Sequence, residues 1–252
     1  MTHEQLKAGR IAAALTQVQA TDYLGVSQPY LSQLERGERP ITAELARSAA
    51  TLYGLPATAL PILESDEQRF PEDPEPLARQ LAGLGYPGFT HLRGRKQNPA
   101  VVLLEALVEE DLKVRLTKAL PWVVLTYPDM DWPWLIREMK LRDSQNRLGF
   151  VVAMARELAA TRDRFRPALE RLSAVVEELE HARLAREDTL CRESMPAGER
   201  DRLAATRSAL ARRWNPVTDL TAAQLHMSRE IPRAPSPGHD LLLWGKCAIM
   251  KP

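Results

Sequence analysis

Between Thr16 and Gly37 the chain carries four helix-end signals in close succession, and this run of punctuation constrains the fold more than any other feature. Thr16, with Gln19 three residues on, makes a capping box, in which each side chain satisfies a backbone amide that the first helical turn leaves without a partner. Gly25 can take the left-handed backbone conformation that ends a helix and that other residues resist. Ser27 is a second N-cap, and Pro29 is tolerated in the turn that follows because the missing amide costs little there. Gly37 closes the segment. The spacing predicts one helix up to Leu24 and a second reaching Glu35 or Arg36, joined by a tight turn.

The same texture extends on both sides. A first helix is predicted through Gln5 to Leu15, with Leu6, Ile11, Ala14 and Leu15 near helical spacing. Beyond Gly37 a helix begins near Thr42 and places Leu45, Ala49 and Leu52 on one face, and Gly54 and Pro56 introduce a last short turn to Leu60. Residues 1–64 therefore read as a unit of five short helices.

From 65 to 98 the texture changes. Pro71, Pro74, Pro76 and Pro87 interrupt any long helix, so this stretch reads as a Pro-rich linker in which Leu77 to Leu84 form a brief docking helix. Asn98 followed by Pro99 is a helix start, and residues 99–230 read as helical. Pro121, Pro128 and Pro133 divide 100 to 145 into three or four helices holding Trp122, Tyr127, Trp132 and Trp134. Those aromatics either fill a core or line a pocket for a small-molecule effector. Val151, Ala155, Leu158, Arg162, Phe165, Leu169, Leu172, Val176 and Leu179 recur four and three apart, which predicts one apolar seam along a long helix kinked near Pro167. A stretch from Ala197 to Trp214 folds back on it as a helical hairpin. The seam either zips two subunits or closes a bundle within one chain. Residues 231–252 read as a tail whose apolar run, Leu241 to Trp244, docks as an extended arm.

A hydrophobic fraction of 44% supplies a core, yet apolar runs such as Gly149 to Ala155 fall far short of the roughly 20 residues that cross a bilayer. The apolar patch Ile11 to Leu15 gives way at once to Thr16 and Gln17, which is not a signal peptide. The expectation is a cytoplasmic protein with no membrane contact. Cys191 and Cys247 stand alone, without a CxxC or Cys/His cluster, so neither a disulfide framework nor a metal site is implied. His3, His91, His181, His226 and His239 are scattered, and no HExxH, GxSxG or phosphate-binding GxxxxGK[ST] occurs. No enzyme activity and no cofactor are expected. Net charge is +1. In residues 1–60, Lys7, Arg10, Arg36, Arg39 and Arg47 balance Glu4, Asp22, Glu35, Glu38 and Glu44. Non-specific attraction to nucleic acid comes from neutralised phosphates, so a segment this neutral must rely on a local patch, a dimer and shape fit.

The residues Leu15-Thr16-Gln17, then Leu24-Gly25-Val26-Ser27, then Leu31-Ser32-Gln33-Leu34-Glu35-Arg36-Gly37 resemble the Cro/C1-type repressors, also called the Xre family, and the likeness continues through Leu45, Ala49, Leu52, Leu55 and Leu60. The resemblance covers residues 1–64 and implies an N-terminal five-helix, lambda-repressor-like helix-turn-helix domain. With the helical pattern beyond it, the whole reads as an all-α protein whose helical C-terminal domain holds a long helical hairpin. The resemblance also implies a sequence-specific regulator of transcription, a dimeric repressor in the first instance, acting on double-stranded DNA. By the same likeness, Gln28 and Gln33 read base edges in the major groove, with Tyr30 and Ser32 flanking them. Gln17 holds a backbone phosphate at the start of its helix, Ser27 stands at the start of the reading helix, and Arg36 and Arg39 touch phosphates. Arg10 and Glu35 match the family's structural ion pair. One departure is Ala20-Thr21, where the family has Leu then Ala. The self-cleaving members carry a β-rich domain, whereas 100–230 reads as helix. A different reading of the same chain is an antitoxin that represses its own operon and clamps a toxin partner through the C-terminal helices.

Overall fold

The computed structural model describes residues 1–62 and 75–225, which belong to two compact units. In the first unit the helices are α1 (His3–Ala12), α2 (Gln17–Leu24), α3 (Gln28–Glu35) and α4 (Ala43–Leu52), followed by a single 3-10 turn at Ala57–Ala59 in place of a fifth full helix. The expected caps are present. Thr16 and Gln19 form a reciprocal capping box, Ser27 accepts from the Tyr30 amide, and Thr42 accepts from the Leu45 amide. Gly25 adopts φ 67° and ends α2, which a side-chain-bearing residue would resist.

The first helix differs from expectation at both ends. Thr2 and Gln5 form a capping box that starts α1 earlier, and Ala14 adopts φ 55°, stopping the helix before Leu15. Beyond the stop Leu15 packs against the core, while Ile11, about 140° round the helix from the buried Leu6, is exposed. The core consists of Leu6, Ala20, Leu31, Leu34, Leu45, Ala49 and Tyr53, with Val26 and Leu55 packed at its edge. Thr21, the departure from the family pattern, is buried and donates its hydroxyl to the Val18 carbonyl at 2.6 Å. Its extra polar atom is thus satisfied on its own helix, and α2 still packs against α3.

The second unit comprises α5 (Pro76–Gly83), α6 (Pro99–Val108), α7 (Val114–Thr117), α8 (Leu120–Thr126), α9 (Trp132–Leu141), α10 (Gln145–Thr161), α11 (Leu169–Glu180), α12 (Ala197–Thr206) and α13 (Ala209–Trp214). No strand occurs among the described residues, only two isolated bridges, Asp111 to Arg192 and Asp188 to Pro216. Asn98 caps α6 as its sequence predicts, and α5, within the segment expected as linker, packs on α6. Every residue from Ser144 to Ala155 is buried, so α10 is the central element rather than a surface helix. Helices α8, α9, α11 and α13 surround it.

The seam expected as one kinked helix is instead two helices. The chain folds back through a 3-10 segment at Asp163–Ala168, and the start of α10 lies beside the end of α11, where Gln145 and Asn146 donate to the Ala182 and Leu184 carbonyls. Pro167 in that segment favours the break. Val151, Ala155, Leu158, Phe165, Leu172, Val176 and Leu179 are all buried, so the seam closes within the unit. Gly149 lies against the Trp214 indole, where a Cβ would come within 2.0 Å of Cζ3, and this close approach requires glycine. The expected tail, with its Leu241 to Trp244 arm, lies outside the described residues.

Candidate nucleic-acid interface

Helix α3 has two chemically distinct sides. Leu31, Leu34 and Glu35 are buried, while Gln28 and Arg36 are exposed and Tyr30, Ser32 and Gln33 are half-buried. At 3.6 residues per turn, positions 28, 29, 32, 33 and 36 fall within an arc of about 140°. All of these but Pro29 are polar, and no core residue interrupts the arc. An α-helix with its side chains is about 10–12 Å across, which the major groove of B-DNA, about 12 Å wide, admits.

A chain of hydrogen bonds runs from the interior to this surface. Arg10 and Glu35 form the expected ion pair in bidentate geometry, Nε to Oε1 at 2.5 Å and Nη2 to Oε2 at 2.9 Å, with side chains only 11% and 3% exposed. Gln17 Nε2 donates to Glu35 Oε2 at 2.9 Å, and Gln28 Nε2 donates to Gln17 Oε1 at 2.7 Å. The direction of this relay is forced. A guanidinium only donates and a carboxylate only accepts, so Gln17 must turn its NH2 to Glu35 and its oxygen to Gln28. Gln28 is left presenting its carbonyl oxygen and one N–H, the pair that matches the N6 and N7 edge of adenine. Burial would raise the Glu35 carboxyl, but the Arg10 and Gln17 hydrogen bonds outweigh it and hold the group below its ordinary range.

The remaining site residues form two smaller groups. Arg36 donates to Ser32 Oγ at 2.5 Å and in bidentate fashion to Glu38, at 2.5 and 3.0 Å. Its hydrogen bond to Glu38 raises the Arg36 guanidinium, and that to Arg36 lowers the Glu38 carboxyl. Arg39 donates Nε to Gln33 Oε1 at 2.9 Å, with its Cζ 6.0 Å from the centre of the Tyr30 ring. Ser27 is engaged in the α3 cap. All eight sequence-predicted residues thus belong to α3 and its flanking turns, except Gln17, which reaches them from the first turn of α2. Glu38 was missed by the sequence reading, although an acidic residue two positions beyond Arg36 was its visible signal. Both arginines expected at phosphates are bonded within the domain.

The second unit gathers several of its aromatic side chains. Tyr86, Trp122 and Tyr127 pack edge to face, Tyr86 to Trp122 at 5.3 Å and Trp122 to Tyr127 at 6.3 Å, and the Tyr127 hydroxyl donates to the Leu84 carbonyl. Trp122 and Trp132 are buried, and Trp134 is half-buried. No cluster of three or more His, Cys, Asp or Glu side chains suited to a metal ion occurs among the described residues. His226, His239 and Cys247 lie outside them. No helix of the described residues is long and apolar enough to cross a membrane.

A helix-turn-helix family model matches residues 6–60 of the chain, the segment that spans α1 to the 3-10 turn. No curated protein and no solved structure matched. Over this segment the chain is a Cro/C1-type helix-turn-helix, the module of DNA-binding regulators.

Proposed function

We propose that this helix-turn-helix chain is a sequence-specific repressor that binds an operator as a dimer, with α3 in the major groove and Gln28 and Gln33 reading bases. The observation that carries the reading is the exposed amide of Gln28, whose polarity is set by the relay from the buried Arg10–Glu35 pair. A reader must be held before it meets DNA, because each side chain ordered on binding lowers affinity. Gln17 stands at the α2 N-terminus, where free amides and the helix dipole suit a phosphate. Two half-sites about 34 Å apart would double the contacts of a domain whose charge is balanced, and occupancy of a promoter-overlapping operator would exclude polymerase. Genome-wide mapping of bound DNA tests this. The wild type should give discrete sites that the double variant Gln28→Ala, Gln33→Ala loses while remaining folded, and identical maps for the two proteins would overturn the reading.

A further inference from the structure

We propose that Arg39 is a specificity-positioning residue, which turns the Gln33 amide so that its NH2 faces the groove and the base read there is one with an acceptor edge. The inference rests on the DNA-binding reading above and adds to it the chemistry of one base position. A free glutamine amide is ambiguous, since a half-turn about its last bond exchanges acceptor for donor. At Gln33 that freedom is removed. Arg39 Nε lies 2.9 Å from the amide, and because a guanidinium has no acceptor, the atom facing it is the carbonyl oxygen. The reverse orientation would set NH2 against N–H, losing the bond and placing two donors together. Arg39 is itself located by the Tyr30 ring, over which its guanidinium sits with Cζ 6.0 Å from the centroid.

The consequence is a division of labour along α3. Gln28 presents an oxygen and one N–H, whereas Gln33 presents two N–H groups and an oxygen already engaged. In the major groove, guanine offers two acceptors, O6 and N7, and thymine offers O4, while the cytosine edge is a donor and the adenine edge is mixed. Gln33 held in this way favours guanine or thymine at its position and disfavours cytosine. The difference between matched and mismatched polarity at one such contact is on the order of tenfold in binding. Tyr30 and Arg39 then act behind the reader rather than on the phosphates.

Selection of random DNA duplexes by the full chain, followed by affinity measurements at each base of the selected site, tests the assignment. The position read by residue 33 is the one whose preference vanishes in Gln33→Ala. At that position the wild type should select guanine or thymine. Gln33→Glu keeps an acceptor for Arg39 but has no donor, and should switch the preference to cytosine by roughly tenfold. Arg39→Ala should admit adenine beside guanine or thymine at this position alone, with every other position unchanged. An arginine that served only a phosphate would behave differently. Its removal would weaken all sequences alike and lower the salt slope by about one while the preference survived, and that result would overturn the proposal while leaving the DNA-binding reading intact. A wild type that enriches no sequence would overturn both. A melting curve for each variant separates loss of specificity from loss of fold.

Discussion

Replacing Arg10 with methionine should loosen the first unit by about 3 kcal/mol. The figure follows from what the substitution leaves behind. Glu35 is 3% exposed and accepts three hydrogen bonds, two from Arg10 and one from Gln17, and Arg10 also donates to the Leu15 carbonyl at 2.8 Å. Without Arg10 the carboxylate keeps only the glutamine, and breaking a buried pair from one side costs roughly 3–5 kcal/mol. The 11% exposure of Arg10 lets some water reach the vacated space, which favours the lower end. Hydrogen exchange resolved by peptide is the suitable assay, because it reports on α1 and α3 separately from the rest of the chain. The most protected amides of α1 and α3 should exchange roughly 150-fold faster. Replacing both partners, Arg10→Met with Glu35→Leu, should restore most of the protection, since no uncompensated charge remains. That stable double variant should still bind its site poorly, because Gln17 has lost the acceptor that directs it. A single variant whose α3 amides exchange within threefold of wild type would show that the pair does not hold these helices together.

Further outcomes follow from other contacts. The depressed Glu35 carboxyl contributes stability that is present above its ordinary value of 4.5 and is lost as pH falls through its lower folded value, so acid should open the wild-type first unit below that point and Glu35→Gln should flatten the dependence. Gly149→Ala should destabilise the second unit by up to about 3 kcal/mol, read as a lower melting temperature in tryptophan fluorescence, since its methyl would overlap an indole that is itself fully buried. Arg147 donates to Asp188 at 2.7 Å, Glu193 at 2.5 Å and the Leu107 and Glu109 carbonyls, so Arg147→Met should cost about 3 kcal/mol and deprotect the loop near residues 188–195 without affecting α3. Cys191 is fully buried, with its thiol pushed up to about 12 by burial, and should resist alkylation at pH 8 until the second unit opens.

The parts of this fold that sequence reveals are those governed by neighbours along the chain. Thr16, Gly25, Ser27 and Asn98 mark helix ends through bonds to residues two to four positions away, and each stands where its local chemistry predicts. The left-handed Ala14 has no such marker, so apolar spacing carries the first helix on to Leu15, whereas it ends at Ala12. The seam from Val151 to Leu179 has helical spacing throughout, and spacing alone cannot show that the axis reverses at 163–168. The turn of polar side chains at Gln145, Asn146 and Arg147 was equally silent, since their partners lie more than thirty residues away. At the interface the residues proposed as readers follow from the motif, but the orientation of their amides does not. It depends on contacts between elements, Gln17 with Gln28 and Arg39 with Gln33.

Discrimination by α3 between DNA sequences is read from the ratio of affinities for the selected duplex and for a scrambled one of equal length. At fixed salt near 150 mM the wild type should favour its own site by at least about a thousandfold. The Gln28→Ala, Gln33→Ala variant should bring that ratio close to one while its weak binding to the scrambled duplex is unchanged. If the two proteins gave the same ratio, the glutamines of α3 would not be the readers.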